Sequence, residues 1–453
     1  MNVYRLVMII FCMLCSGVLS AQQVIKTIIQ SDTKKSIVHY WMDSISIAYV
    51  PEEGSGGYFV YEAKNANALF APVNVSCEVN DFKIMDDTVF FCGVIPFGAN
   101  PYGFVGCFDI KDLFFNGGQA NASWIPNTDN INNCGRMSIP RRMDVYRSKG
   151  FVHIAMAGEM SDADHPNDPD GATLEDAYFD GTSWQFCNLV NKNNIEYYTD
   201  ITCTGNYVVA VARDRLTNVC YLRAFEATGV FLNKPIYPDH LMQIVDSTVR
   251  GDILIEAIDT NALALCHYYS DAGASGIAVS TVKLNVMGQA YYSYITSRIV
   301  QNNSPVCSPL WALREMRYNK TMNRLYILQD MDYPIHSAIT STVLDMVVNI
   351  NNLELSTSRA IWSDMYGKLH DIDIYKQDGF VSTGNAEDGN LLFFKERYDA
   401  DTLCHKEKRI SVIKEPCHSM VIYTDDENNT KSYNPVLQFV IVEERPVFVD
   451  CND

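Results

Sequence analysis

Basic residues are scarce in this chain of 453 residues. Its 35 Lys and Arg face 54 Asp and Glu, which leaves a formal charge of −19. A protein this acidic repels phosphate backbones and anionic lipid surfaces, so no nucleic-acid partner is expected. The short signatures of familiar chemistries are missing as well. There is no P-loop, no dinucleotide fingerprint, no Gly-x-Ser-x-Gly elbow, no His-Glu-x-x-His and no pair of Cys-x-x-Cys sites. These absences lower the case for the commonest nucleotide, hydrolase and zinc machinery, and no cofactor is expected. Long apolar runs are also lacking. The N-terminal one, Leu6 to Leu19, falls short of the roughly 20 residues that a membrane helix needs. No membrane span is expected elsewhere.

That N-terminal run has another reading. Arg5 precedes it, and Ser20-Ala21 follows it, ahead of Gln22-Gln23. A positive start, an apolar middle and small residues at the end mark a secretory signal peptide over 1–21. The expected location is therefore periplasmic, secreted or at the cell surface. Two of the fourteen cysteines, Cys12 and Cys15, lie in this signal, leaving twelve in an exported chain, where disulfides form readily. One pair can be argued from strand geometry. If Val89–Ile95 pairs antiparallel with Phe104–Ile110, Cys92 falls opposite Cys107, within reach of a bond. The alternative is two buried thiols. Cys203 and Cys220 are expected on the first and third strands of one sheet, too far apart to bond.

The chain is organised around Asn80 to Ile110, NDFKIMDDTVFFCGVIPFGANPYGFVGCFDI. Phe82 and Ile84 alternate with polar residues, Asp86-Asp87 breaks the run, and Val89 to Cys92 is wholly apolar. A loop marked by Pro96, Gly98, Pro101 and Gly103 leads to a third apolar run. This is strand, turn, strand, loop, strand, with no helical period. The pattern recurs: Asp, apolar, any residue, apolar, a polar turn, then an apolar strand. Clear copies begin at Asp144, Asp200 and Asp371, and weaker ones near His39, Asp246 and Glu315.

Seven copies at roughly 45- to 70-residue spacing, each with strands enough for a four-stranded sheet, resemble a β-propeller. The expected fold class is all-β, a propeller of seven blades of four antiparallel strands spanning 22–409. The strand Val24–Gln30 would close the ring on the last blade. Strands in 410–453 would complete the last blade or be appended to it. The wording DDTVFFCG…GFVGCFDI also resembles uncharacterised secreted propellers of Bacteroidetes-type bacteria, a likeness that implies no activity.

Several clusters invite a chemical reading. The repeat Asp (Asp81, Asp144, Asp200, Asp371) sits on strands that would face a central channel, yet an Asp at a strand entry ordinarily caps backbone donors in a turn. His370, Asp371 and Asp373 form the densest titratable group, with alternation placing His370 and both Asp on opposite faces. Asp162, Asp164, Asp168, Asp170, Glu175 and Asp176 read as one acidic loop; oxygen ligands there suit Ca²⁺, but the spacing fails the EF-hand pattern, and a solvated loop is the plainer account. Whether any metal binds stays open. Tyr197, Tyr198, Tyr291 and Tyr292, with Trp124, Trp184, Trp311 and Trp362, are either sugar-stacking surfaces or core.

Two functions follow. The first is an exported binding protein that holds a glycan, peptide or protein partner on propeller-face loops. The second is a hydrolase or lyase acting on extracellular polymer. His, Asp, Glu or Arg side chains from different blades meeting within about 5 Å in the channel would favour the enzyme. An apolar channel would favour binding.

Overall fold

A computed structural model describes most strands and tight turns between residues 22 and 441. Residues 1–21 and 442–453, and connections of which 112–120, 126–136, 228–239, 285–292, 303–311 and 398–406 are the longest, lie outside the description. The signal-peptide reading therefore falls outside the described residues, as do Asp164, Tyr291, Tyr292 and Trp311.

The apolar runs become strands because β-branched and aromatic residues alternate with short turns. The turns are legible in the backbone. Asp86 and Asp87 both take positive φ, 51° and 61°, the tight hairpin that a right-twisted strand pair requires.

Among the described residues the strands make seven antiparallel sheets. Blades one to six span 37–75, 78–124, 137–192, 196–244, 249–302 and 312–362, each running four strands outward in chain order. Blade seven takes Lys368–Tyr375, Gly379–Asn385 and Asn390–Arg397, and its fourth strand is the N-terminal Gln22–Gln30, with Val24 opposite Phe394. The first strand of each blade contacts the first strand of the next, and blade seven contacts blade one, so the ring closes. The N-terminal strand thus ties the start of the propeller to its last blade, as its sequence anticipates.

The C-terminal strands differ from expectation. They neither complete nor extend the last blade. Glu407–Ile410 pairs with Glu354–Trp362, the outer strand of blade six. Val412–Glu415 pairs with the outer strand of blade five, and Met420–Tyr423 with that of blade four. The chain runs backward around the rim and covers three outer edges that would otherwise present unpaired backbone groups. In blade seven the outer strand is Gln22–Gln30 itself.

Apolar side chains fill the seams between blades. Phe59, Phe82, Phe91, Phe104 and Phe108 join blades one and two, with Phe59 and Phe82 edge to face at 5.2 Å. Further clusters join each next pair up to blades six and seven. One local device recurs. The first strands of blades two, three, four, six and seven each slip register just before the same repeat position: before Asp81, Arg142, Asp200, Glu315 and Asp371. Such a bulge bends the strand and re-aims the side chain that follows it. A Cβ on Gly93 would collide with the Glu78 carbonyl oxygen, and one on Gly384 with that of Lys368, so the bulged backbone occupies the space a side chain would need.

The disulfide expectation is corrected here. Cys92 pairs with Val105, and Cys107 with Phe90, two residues out of the assumed register. Both are buried free thiols in the seam of blades two and three. The loop guess failed because the hairpin continues tightly to Phe97 and Asn100. Cys203 and Cys220 are free as well, on the first and third strands of blade four.

Candidate functional site: the charged central channel

The residues after each bulge point inward, and their polar atoms hold the ring together. Asp81 accepts the backbone N–H of Met143 in the next blade at 3.0 Å. Asp144 accepts that of Cys203 at 2.6 Å, and Asp200 that of Ile255 at 2.8 Å. Glu256 accepts that of Tyr318 at 3.2 Å. At the closing seam Asp371 accepts Val38 N–H at 2.9 Å and Asp373 accepts Tyr40 N–H at 2.7 Å. The Tyr49 hydroxyl and the Ser341 hydroxyl serve the two remaining seams, accepting from Val79 and Leu369. A first strand shows its inner edge to the channel, so its N–H groups need an acceptor from elsewhere. The preceding blade supplies it.

Asp81, Asp144, Asp200, Glu256 and Asp373 help to line a cavity of about 330 Å³ to which all seven blades contribute residues. An ionic network crosses it. Arg142 of blade three reaches Glu315 of blade six at 2.8 Å and the Arg314 carbonyl at 3.1 Å. Arg317 meets Glu315 at 2.8 Å, Glu256 at 3.7 Å and Asp373 at 3.7 Å. His39 Nδ1 lies 3.2 Å from Asp373, and Lys83 lies 3.9 Å from Asp81. Six carboxylates and three permanent cations line the cavity, so negative charge is in excess.

The titrations are set first by burial and then by the neighbouring charges. Burial pushes the Glu256 carboxyl up to about 8, with the nearby Asp144 charge adding to it and Arg317 opposing. Burial likewise raises Asp200 to about 6, Glu315 adding and Arg142 opposing. Asp144 is raised by burial too. Burial works against the charge on Asp373, but the His39 ring and Arg317 outweigh it and hold that carboxyl below its ordinary value. The Cys203 thiol at the cavity wall is pushed up by burial and by Asp144, away from the nucleophilic thiolate.

The predicted site residues sort as follows. The repeat Asp do cap backbone donors, across a blade boundary rather than in their own turn; Asp144 and Asp200 also hold the N–H of Val145 and Ile201. His370 sits at the bulge, where its Nδ1 accepts Ser36 N–H at 3.2 Å, while Asp373 alone of its group lines the cavity. The acidic loop is not a loop where it is described. Residues His165–Phe179 are a strand, and Glu175 and Asp176 are buried, Asp176 binding His153 at 2.7 Å and Tyr146 at 2.9 Å. No group of three metal-ligating side chains gathers among the described residues. Tyr198 is core, and Trp184 packs on Phe179.

Sequence reading missed the cations Lys83, Arg142 and Arg317 and the acids Glu256 and Glu315. The signal was present. Asp81-x-Lys83, Arg142-x-Asp144, Glu315-x-Arg317 and Asp371-x-Asp373 place two charges, one residue apart, at the same point of the repeat. Alternation then directs both to one face.

No family model matches the chain, and no curated protein does. Similar solved structures include Sqt1 from Chaetomium thermophilum, 13% identical over 83% of this chain and 100% of that one, TM-score 0.46. The Nup133 β-propeller domain of Vanderwaltozyma polyspora is 7% identical over 83% and 98%, TM-score 0.41. The WD40 domain of SCAP from fission yeast is 4% identical over 84% and 99%, TM-score 0.38. Likeness at this level says nothing about activity. The chain's own seven sheets and closed ring of first strands establish it as an all-β propeller.

Proposed function

We propose that this protein is an exported recognition protein, a stiff ring whose face loops hold a glycan, peptide or protein partner. One observation carries the reading. At five seams a carboxylate holds a backbone N–H of the next blade, and at the other two the Tyr49 and Ser341 hydroxyls do so. A frame tied in this way keeps its loops in register, the arrangement recognition surfaces use. Export is supported by the signal pattern over 1–21. The test is a glycan and peptide binding screen on the mature protein, run with Ca²⁺ and with chelator. Saturable binding to one class supports the reading, and a blank screen across both classes, with no protein captured by the immobilised mature protein, removes it. N-terminal sequencing of secreted material should begin at Gln22.

The second reading, a hydrolase or lyase of extracellular polymer, is favoured by one specific finding. Side chains from blades one, three, five, six and seven do meet within 4 Å in the channel. Glu256, neutral or charged near neutral pH, would be its acid or base. Turnover of a polysaccharide that vanishes in Glu256→Gln, with folding intact, would establish it.

A further inference from the structure

We propose that the channel cavity is a binding site for a primary ammonium group with an oxygen acceptor beside it. The inference does not depend on the loops and concerns a different part of the ring.

The argument begins with the three adjacent blades that contribute Asp144, Asp200 and Glu256. Asp144 and Asp200 have backbone donors but form no ion pair with a described cation, and Glu256 has only Arg317 at 3.7 Å. The cations of the cavity are already engaged, Arg142 and Arg317 sharing Glu315 and Lys83 lying beside Asp81. The excess charge of the cavity is therefore negative, six carboxylates against three cations. A cation of ligand size would offset it, and the cavity of about 330 Å³ has room for one.

A second observation fixes what accompanies the cation. His39 and Arg317 line the same cavity and are 6% and 8% exposed. His39 Nε2 and Arg317 Nη2 are both buried with no hydrogen-bond partner. A buried guanidinium N–H left without an acceptor is costly, and an oxygen brought by the ligand would meet that need. A bare metal ion offers no such oxygen, and the described side chains provide no ligand set for one. An ammonium with a neighbouring carbonyl or hydroxyl satisfies both sides.

Two sources share this chemistry, the amino end of a peptide and an amino sugar, and the experiment separates them. Glycylglycinamide and glucosamine are titrated into the full mature protein by calorimetry, beside their N-acetylated forms and ethylammonium. The expected result is saturable binding of one or both amines. The N-acetyl forms should bind at least tenfold more weakly because they lack the charge, and ethylammonium more weakly because it lacks the oxygen. Glu256→Gln and Asp200→Asn should each weaken the amine at least tenfold. Should a variant fail to fold, the amine against N-acetyl comparison on the natural protein decides alone. No saturable binding of either amine, equal binding of the acetylated forms, or undiminished binding in a folded variant overturns the proposal. A loop ligand found in a glycan or peptide screen would leave these outcomes unchanged.

Discussion

The Asp200 carboxylate accepts the backbone N–H of Ile255 at 2.8 Å across a blade boundary, while its other oxygen takes Ile201 N–H of its own strand at 3.0 Å. Removing it strands two donors in a channel where Asp200 is 6% exposed. Asp200→Ala should lower stability by about 1–3 kcal/mol, the cost of unsatisfied buried donors. Asp200→Asn should lose less, because its amide oxygen still accepts one bond. Urea unfolding of the three proteins measures this, and equal losses for Ala and Asn would show that the bonds contribute little.

Stability should fall as pH rises. Glu256 is raised to about 8 and Asp200 to about 6 in the folded protein, far above where the unfolded chain releases those protons. Between about pH 5 and about pH 8 the folded state therefore holds protons that the unfolded state has lost, and each such group lowers stability by on the order of 1 kcal/mol per pH unit. Asp373 acts with the opposite sign, but only in acid, because its carboxyl is depressed. Glu256→Gln should flatten the decline in its upper half. Denaturation midpoints across this range report it, and a slope that persists in the variant would assign the effect elsewhere.

Gly93 and Gly384 face the bulged backbone with no room for a methyl group. Gly93→Ala and Gly384→Ala should each cost about 1–3 kcal/mol, the ordinary range for overpacking. Gly150, where a Cβ would meet nothing but whose φ is +90°, should lose less on substitution. Thermal melts of the three variants rank them, and a Gly150 variant that loses most would point to turn strain instead of crowding.

Cys92 and Cys107 should remain thiols even in an oxidising medium. Burial pushes Cys107 up to about 11 and Cys92 well above its usual range, so neither is a ready thiolate. Alkylation in denaturant without reductant should label both, read by mass. A bonded 92–107 peptide would contradict the strand register.

The strands and the ring were readable because short β-rich runs recur with an Asp at a fixed point, and such a unit buries its faces only by stacking on its neighbours. The closing role of Val24–Gln30 followed from the same reasoning. Two kinds of feature were not readable. The partner of Asp144 is a backbone N–H of Cys203, 59 residues on, and a main-chain group leaves no trace in composition. The register of Cys92 was misjudged because the hairpin to Asn100 runs further than the Pro and Gly of that segment implied. The charges one residue apart around each bulge were visible, but only an alignment of the copies gives them a shared direction.

The rim strands impose an order in time. A growing polypeptide emerges with blades four, five and six long before Glu407–Ile410, Val412–Glu415 and Met420–Tyr423 exist to sheathe them. Until those strands are synthesised, three flanks stand bare, each able to recruit a strand from any neighbouring nascent chain. A message truncated after Arg397 would yield a molecule whose circle shuts but whose outside is adhesive, and light scattering would register it as clumping.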